Sequence, residues 1–294
     1  MRLRHTAIGL NFIDTYYRTG LYTTKLPAIP GIEAAGMVDK VGDGVRGLVR
    51  GDRVAYARGP LGAYAEARNI RAVECVKLPD SVNDDLAAAA MLKGLTAWYL
   101  LHQTFPVNKG DTILVHAAAG GVGLLLCQWA KRIGARVIGT VGSEKKATLA
   151  RQNGCDEIVF YRHESIGERV AQITKGQGVE VVYDAVGATT FTASLDSLKP
   201  LGMMVSYGQA SGPIPPFSLT ELARRGSLFI TRPSLMDYVR DNATYHKAAD
   251  VLFRMLGSGE LNISIGQRFP LAYAAQAHKA LEGRETVGAS ILVP

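Results

Sequence analysis

The feature that most constrains this chain is a glycine turn set between an apolar strand and a helix. Residues 112–123 read TILVHAAAGGVG. Ile113, Leu114 and Val115 form an apolar, largely β-branched run that suits a strand buried on both faces. The following LLLCQWAKRIGAR carries apolar side chains at helical spacing, with Lys131 and Arg132 near its end and Gly134 as a stop. A strand that runs through glycines into a helix leaves backbone N–H groups free at the helix N-terminus, where a phosphate can be held. In that geometry Gly120 serves the tight turn, Gly121 lets the backbone approach a pyrophosphate, and Gly123 lets helix pack on strand. Taken alone, the fragment fits equally well a turn that excludes side chains for steric reasons. Its surroundings decide.

Those surroundings alternate. From residue 94 to 261 apolar strands such as RVIGTV, EIVF, GVEVVYDAV and GMMVSYGQ are separated by helical patterns, including Glu144 to Asn153 and Asn242 to Leu256. Alternation of this kind means βαβ crossovers and a parallel sheet, whose ligands bind at the carboxyl ends of the strands. Residues 1–93 differ, with short extended pieces and many Gly and Asp turns, as in GIEAAGMVDKVGDGV. Residues 262–294 hold one helix and a last apolar strand, ASILV. The expected fold is therefore α/β, with a Rossmann-type domain at 94–261 inserted in a mostly β catalytic domain formed by 1–93 and 262–294.

Composition narrows the function classes. The 294 residues are 47% hydrophobic and 20% charged, as in an ordinary globular protein. No apolar run reaches membrane-spanning length, and MRLRHTAIGLNF has no signal-peptide pattern, so a cytoplasmic location and no membrane partner are expected. Cys75, Cys127 and Cys155 form no C-x-x-C pair, which argues against both a disulfide framework and a cysteine-rich zinc site. His116, at the end of the first nucleotide strand, reads as a packed core residue. The net charge of +7 favours an anionic partner, but its basic residues form no stripe interleaved with aromatics, which argues against a nucleic-acid groove.

The second strand of the alternating region ends in VIGTVGSEKK. About 20 residues beyond the glycine turn, an NAD enzyme places Asp or Glu on the ribose hydroxyls. Here stand Gly142 and Ser143, then Glu144, Lys145 and Lys146. A hydroxyl and a cation suit a 2′-phosphate, so NADPH is expected rather than NADH. Ser143 also reads as the N-cap of the next helix.

Several segments together resemble one family: NFIDTYYRTGLY, PGIEAAGMVDKVGDGV, GDRVAY, LKGLTAWYLL, HAAAGGVG, GTVGSEKK, YDAVG, SYGQASG and GRETVGASILV. In this order they are similar to the zinc-free, ζ-crystallin-like quinone oxidoreductases of the medium-chain dehydrogenase/reductase superfamily, over essentially the whole chain. The resemblance implies a GroES-like catalytic domain around the Rossmann domain. It also implies roughly 25 to 30 residues ahead of RLRHTAIGLNF that are not present here, and whose loss would expose strand edges. Zinc-dependent members carry Gly-His-Glu where this chain reads Gly31, Ile32, Glu33, and a ligand cysteine where it reads Asn11 to Asp14. No metal is expected.

The same resemblance places Asn11, Asp14, Tyr17 and Tyr22 at the nicotinamide or the acceptor. It gives Phe12 and Ile13 to the cofactor, and Lys93 and Thr96 to the nicotinamide ribose and phosphate. The pyrophosphate falls on Ala119, Gly120, Gly121, Val122 and Gly123. Gly142, Ser143, Lys146 and Tyr161 meet the 2′-phosphate. Gly187, Ser206, Tyr207, Gly208 and Gln209 line the cofactor further along, as do Thr231, Arg232 and Arg284. Asn and Tyr can donate to a developing quinol oxygen while an ionised Asp cannot, so Asp14 reads as a residue that orients its neighbours.

Without a metal, hydride transfer to an electron-poor acceptor needs the fewest further parts. The expected activity is reduction of a quinone by NADPH. The alternatives are reduction of an enone or alkenal C=C bond and, in another class, binding of AU-rich RNA or a bulk structural role. A homodimer is expected through strands such as GSLFITR.

Overall fold

The alternation in RLRHTAIGL sets the first strand, β1 (Arg2–Leu10): Arg2, Arg4 and Thr6 are exposed, whereas Leu3, His5 and Ala7 are buried. In the computed structural model, which describes residues 1–294, this strand leads to a short helix, α1 (Phe12–Arg18). Strands β2 (Ala34–Lys40), β3 (Arg53–Tyr56), β4 (Ala67–Asn69) and β5 (Val76–Lys77) follow, then helix α2 (Asp84–Tyr99).

The alternating half comes next. Its strands are β6 (Thr112–Val115), β7 (Arg136–Val141), β8 (Glu157–Phe160), β9 (Val179–Asp184), β10 (Leu198–Ser206) and β11 (Phe229–Thr231). Helices α3 (Gly121–Ile133), α4 (Glu144–Gln152), α5 (Ile166–Ile173), α6 (Phe191–Asp196), α7 (Thr220–Arg224) and α8 (Leu235–Tyr238) connect or follow them. The six strands form one sheet in the order β11-β10-β9-β6-β7-β8, with every pair parallel. The chain leaves β6 to β7 on one side and returns to β9 on the other, which makes the carboxyl end of β6 the switch point of a doubly wound sheet. Leu114, Ile138, Val159 and Val182 are buried in its core, and each contributes about 1.5–3 kcal/mol by leaving water.

The chain then forms α9 (Asn242–Gly257), β12 (Ile265–Pro270), α10 (Ala274–Glu282) and β13 (Ala289–Val293). With the first five strands, β12 and β13 make a second sheet, β12-β13-β1-β2-β3-β5, with β4 alongside β1. Terminal strand β13 pairs antiparallel with β1, Ile8 opposite Leu292. No helix is long and apolar enough to cross a membrane.

The chain divides into two units, Met1–Leu95 with Val239–Pro294, and Thr96–Tyr238. This departs from the expected 94–261 at its C-terminal end, because α9 packs with the first unit. The Tyr245 hydroxyl accepts the Ala57 N–H and donates to the Glu74 carbonyl, both at 3.1 Å. Leu252 of the same helix lies where a Cβ on Gly94 would stand, 2.4 Å away. Periodicity identified the helix, but only these distant partners assign it to a unit.

Candidate cofactor and active site

In the second unit, each expected cofactor segment follows the carboxyl end of a strand. After β6, Gly120 is the N-cap of α3 and has no side chain to cap with, so the first-turn N–H groups remain directed at whatever lies beyond the helix. A Cβ on Gly123 would stand 2.3 Å from the Ala117 carbonyl oxygen, so the close helix packing expected of this glycine is real. The tight turn is achieved otherwise than expected: Gly120 has an ordinary φ of −82°, and Ala117 takes the left-handed conformation at φ 51°.

After β7, Ser143 caps α4, accepting the Lys146 N–H at 3.4 Å. A Cβ on Gly142 would fall 2.5 Å from the Tyr161 hydroxyl, so Gly142, Ser143, Lys146 and Tyr161 come together at one strand end. After β9, Gly187 sits at φ 93°, with the Gly212 carbonyl 2.6 Å from its missing Cβ. Gly208, after β10, likewise approaches the Ala185 carbonyl too closely for a side chain. Arg232 donates to the Ser206 carbonyl at 2.7 Å, which joins the segment after β11 to residues 206–209.

A buried aspartate ties these loops together. Asp184 Oδ1 accepts the N–H groups of Val186 at 2.7 Å and Gly187 at 3.0 Å. Its Oδ2 accepts the hydroxyls of Thr190 and Ser194, both at 2.7 Å. Ser194 Oγ lies 3.0 Å from His116 Nε2, and His116 Nδ1 lies 3.1 Å from Thr140 Oγ1. Burial pushes the His116 imidazole below its ordinary pKa, with Asp184 acting the other way. His116 is a packed core residue, as expected, and links the ends of β6, β7 and β9.

The candidate catalytic residues lie in the first unit. NFIDTYY forms a short helix with Asn11 at its N-cap. Tyr22 packs edge-on against Tyr16 and Tyr17, with centroids 5.3 and 5.6 Å apart, while Phe12 packs on Tyr16. Phe12, Ile13, Tyr17 and Tyr22 are half-buried. Asn11 donates from Nδ2 to Glu33 Oε1 at 2.7 Å, and Lys93 Nζ reaches the same oxygen at 2.8 Å. Glu33 Oε2 accepts the Leu92 N–H at 2.6 Å. Lys93, assigned by resemblance to the cofactor, is thus ion-paired with a fully buried Glu33. Thr96, on the same helix, is half-buried. Arg284 is exposed, at φ 60°.

Asp14 is also fully buried. Its Oδ2 accepts the Asn11 N–H at 2.9 Å and the Tyr64 hydroxyl at 3.1 Å, while Oδ1 has no partner. Burial pushes its carboxyl up to about 7, and Glu33 adds to the rise; the two donors and Lys93 act against it. Near neutral pH Asp14 is therefore only part-ionised. Three residues that sequence reasoning left without a role, Glu33, Tyr64 and His278, belong to this cluster. Glu33 alone carried a signal, as the glutamate of Gly-Ile-Glu.

No three of the His, Cys, Asp and Glu side chains are grouped as a metal needs. All three cysteines are buried and free, and Glu33 is committed to Lys93, Asn11 and Leu92.

A parallel sheet with an uncapped glycine turn at its switch point, carried in one chain with a second, largely antiparallel sheet, is the arrangement of a dinucleotide-binding fold. Comparison with known proteins agrees. Residues 1–80 match the family model described as alcohol dehydrogenase GroES-like domain, and residues 121–249 match the one described as zinc-binding dehydrogenase. A quinone oxidoreductase from Pseudomonas aeruginosa is 50% identical over 295 residues, covering 100% of this chain and 91% of that protein. A 2-haloacrylate reductase from a Burkholderia species is 46% identical, covering 100% and 90%. The crystal structure of Escherichia coli quinone oxidoreductase complexed with NADPH superposes with a TM-score of 0.97 at 46% identity, covering 100% of this chain and 91% of that one. The chain belongs to the quinone oxidoreductase family of the medium-chain dehydrogenase/reductase superfamily.

Proposed function

We propose that this protein reduces a quinone with NADPH by hydride transfer that needs no metal. The observation that carries the reading is the uncapped glycine turn at the switch point in a chain 50% identical, end to end, to a quinone oxidoreductase. NADPH supplies a hydride when bound. Ala119 to Gly123 hold its pyrophosphate on the first turn of α3, while Ser143, Lys146 and Tyr161 receive the 2′-phosphate. Gly187, Ser206 to Gln209, Thr231 and Arg232 line the rest of its path along the strand ends. Lys93 acts through Glu33 to fix Asn11. Asn11, Tyr17 and Tyr22 orient the acceptor and donate to the oxygen on which charge develops.

Gly121→Val tests the cofactor assignment: the variant is expected to fold and to lose NADPH binding in a fluorescence titration, and unchanged affinity would refute the assignment. A panel of quinones, with NADPH and NADH run in parallel, tests the reaction. Turnover with NADPH preferred supports the reading. The identity with 2-haloacrylate reductase supports a second one, reduction of an activated C=C bond, which turnover on enones alone would select. A homodimer accompanies the first reading. Strand β11 is a sheet edge, and Phe229 on it is exposed, so edge-to-edge pairing is expected to appear as twice the chain mass in light scattering.

A further inference from the structure

Asp14 stands at the inner end of a chain of hydrogen bonds that leads to the surface. Tyr64 Oη lies 3.1 Å from Asp14 Oδ2 and 2.9 Å from His278 Nε2. His278 Nδ1 lies 2.9 Å from Arg18 NH1, and Arg18 pairs at 2.6 Å with Glu282 in an exposed ion pair. A guanidinium has only donors, so Nδ1 accepts and the imidazole proton sits on Nε2. Nε2–H then donates to Tyr64, and the Tyr64 hydroxyl donates to Asp14. From Arg18 to Asp14, every donor along the path points inward.

That direction fixes where Asp14 can carry a proton. Oδ2 already receives two donors, and a proton there would face both. Oδ1, bare and buried, opposes nothing. Lys93, the cation that lowers the Asp14 carboxyl, is taken by Glu33 at 2.8 Å. An ionised Asp14 would be a second buried anion sharing one cation.

We propose that Asp14 is the acid that supplies the proton of the reduction, with Tyr64 and His278 as positioning residues that hold this proton on Oδ1. The proposal rests on the quinone-reductase reading. In the step, the nicotinamide C4–H bond breaks with its electron pair and a new bond forms to the acceptor, so the cofactor is oxidised and the acceptor reduced. The acceptor oxygen left with negative charge takes a proton as the Asp14 Oδ1–H bond breaks, directly or through one water. Asp14 becomes a carboxylate steadied by the Asn11 N–H and the Tyr64 hydroxyl, and it regains a proton from solvent before the next turnover.

The charged and titratable groups around it agree. Glu33 and Lys93 face Asp14 from β2's leading loop and from α2, Tyr64 from the loop after β3, and Tyr17 from its own helix. Burial raises the Asp14 carboxyl to about 7, which leaves it part-protonated at neutral pH. Burial and Arg18 lower His278, against Glu282, so the imidazole is neutral there.

Two measurements on the full chain test the proposal. In the first, infrared difference spectra of the cofactor-free protein follow the carbonyl stretch of a protonated carboxylic acid with pH. A band titrating near neutrality, absent in Asp14→Asn and moved to higher pH in Tyr64→Phe, is expected. In the second, quinone reduction at saturating NADPH is followed against pH. The acid form is required, so kcat falls as pH rises through about 7. Tyr64→Phe removes a donor from the carboxylate, and the falling limb is expected to move up by about one pH unit. His278→Gln is expected to move it in the same direction by less, with NADPH affinity unchanged in both variants. Asp14→Asn is expected to lower kcat about 100-fold and to abolish the limb.

A limb that stays in place in Tyr64→Phe while the rate falls at every pH means a structural role and overturns the proposal. So does a carboxylic acid band that does not titrate or that survives in Asp14→Asn. A wild-type chain that turns over no quinone, with the band intact, overturns the reading of function and the acid role with it, a result distinct from the other two.

Discussion

Asp184 and Asp14 are both buried aspartates with no exposed surface, one in each unit, and their oxygens are satisfied in opposite ways. Asp184 receives four donors, two on each oxygen. Asp14 receives two, both on Oδ2. A carboxylate with both oxygens satisfied is a clasp, and its charge is spread over hydrogen bonds that hold neighbouring loops. A carboxyl group with one oxygen bare and no cation of its own keeps the capacity to bind a proton. The number of donors, more than depth of burial, separates a scaffold aspartate from a reactive one.

That contrast can be broken at either end. The largest effect is expected for Asp184→Ala, which strands two hydroxyls and two backbone N–H groups. A stability loss of about 5 kcal/mol in urea unfolding is expected, together with weaker NADPH binding. A loss under about 1 kcal/mol would mean that Asp184 is no clasp.

Next comes the pH dependence of stability. The folded-state value of Asp14, about 7, lies above the ordinary aspartate value of 3.8, so the native protein binds the extra proton between them. Stability is therefore lost as pH rises through that window, by on the order of 4 kcal/mol. Urea midpoints at mildly acidic and mildly alkaline pH are expected to differ in the wild type and to differ much less in Asp14→Asn. Parallel slopes would remove the distinction between the two aspartates.

Gly123→Ala is expected to cost about 2 kcal/mol, because its Cβ meets the Ala117 carbonyl and the helix must shift. The smallest effect is expected for Ser143→Ala, about 0.5 kcal/mol for the lost cap. Calorimetric titration then separates capping from phosphate binding: a Kd that rises for NADPH and not for NADH identifies the second role.

The two units also differ in how much of them could be read in advance. The parallel sheet, its glycine turn and the strand end at residue 142 were legible because local rules govern them, whereas the segments at residues 187 and 208 came only with the family resemblance. Periodicity selects strand or helix, and the absence of a Cβ marks where backbones meet. The cluster around Asp14 obeys no local rule. Tyr64 lies 50 residues from Asp14, and His278 lies 214 residues from Tyr64. Neither residue type announces a proton path, and the raised Asp14 carboxyl follows from burial, which sequence spacing does not show. Lys93 was assigned to the cofactor by resemblance, and nothing in LKGLT indicates that Glu33 would occupy it. For the same reason α9 was legible as a helix and not as a member of the first unit.

The pairing of β1 with β13 has a consequence for how the chain comes into being. Residues 96–238 are contiguous, and every strand of their sheet has been made once residue 231 is formed. The other sheet holds Ile8 against Leu292, so the stretch of β1 from Ile8 to Leu10 keeps an open edge until β13 has been made. Synthesis thus completes the strands of the Rossmann-type sheet before those of the other sheet. The interval between them is when the edge of β1 is available to other chains, and it lengthens with any slowing of translation after the Rossmann-type unit.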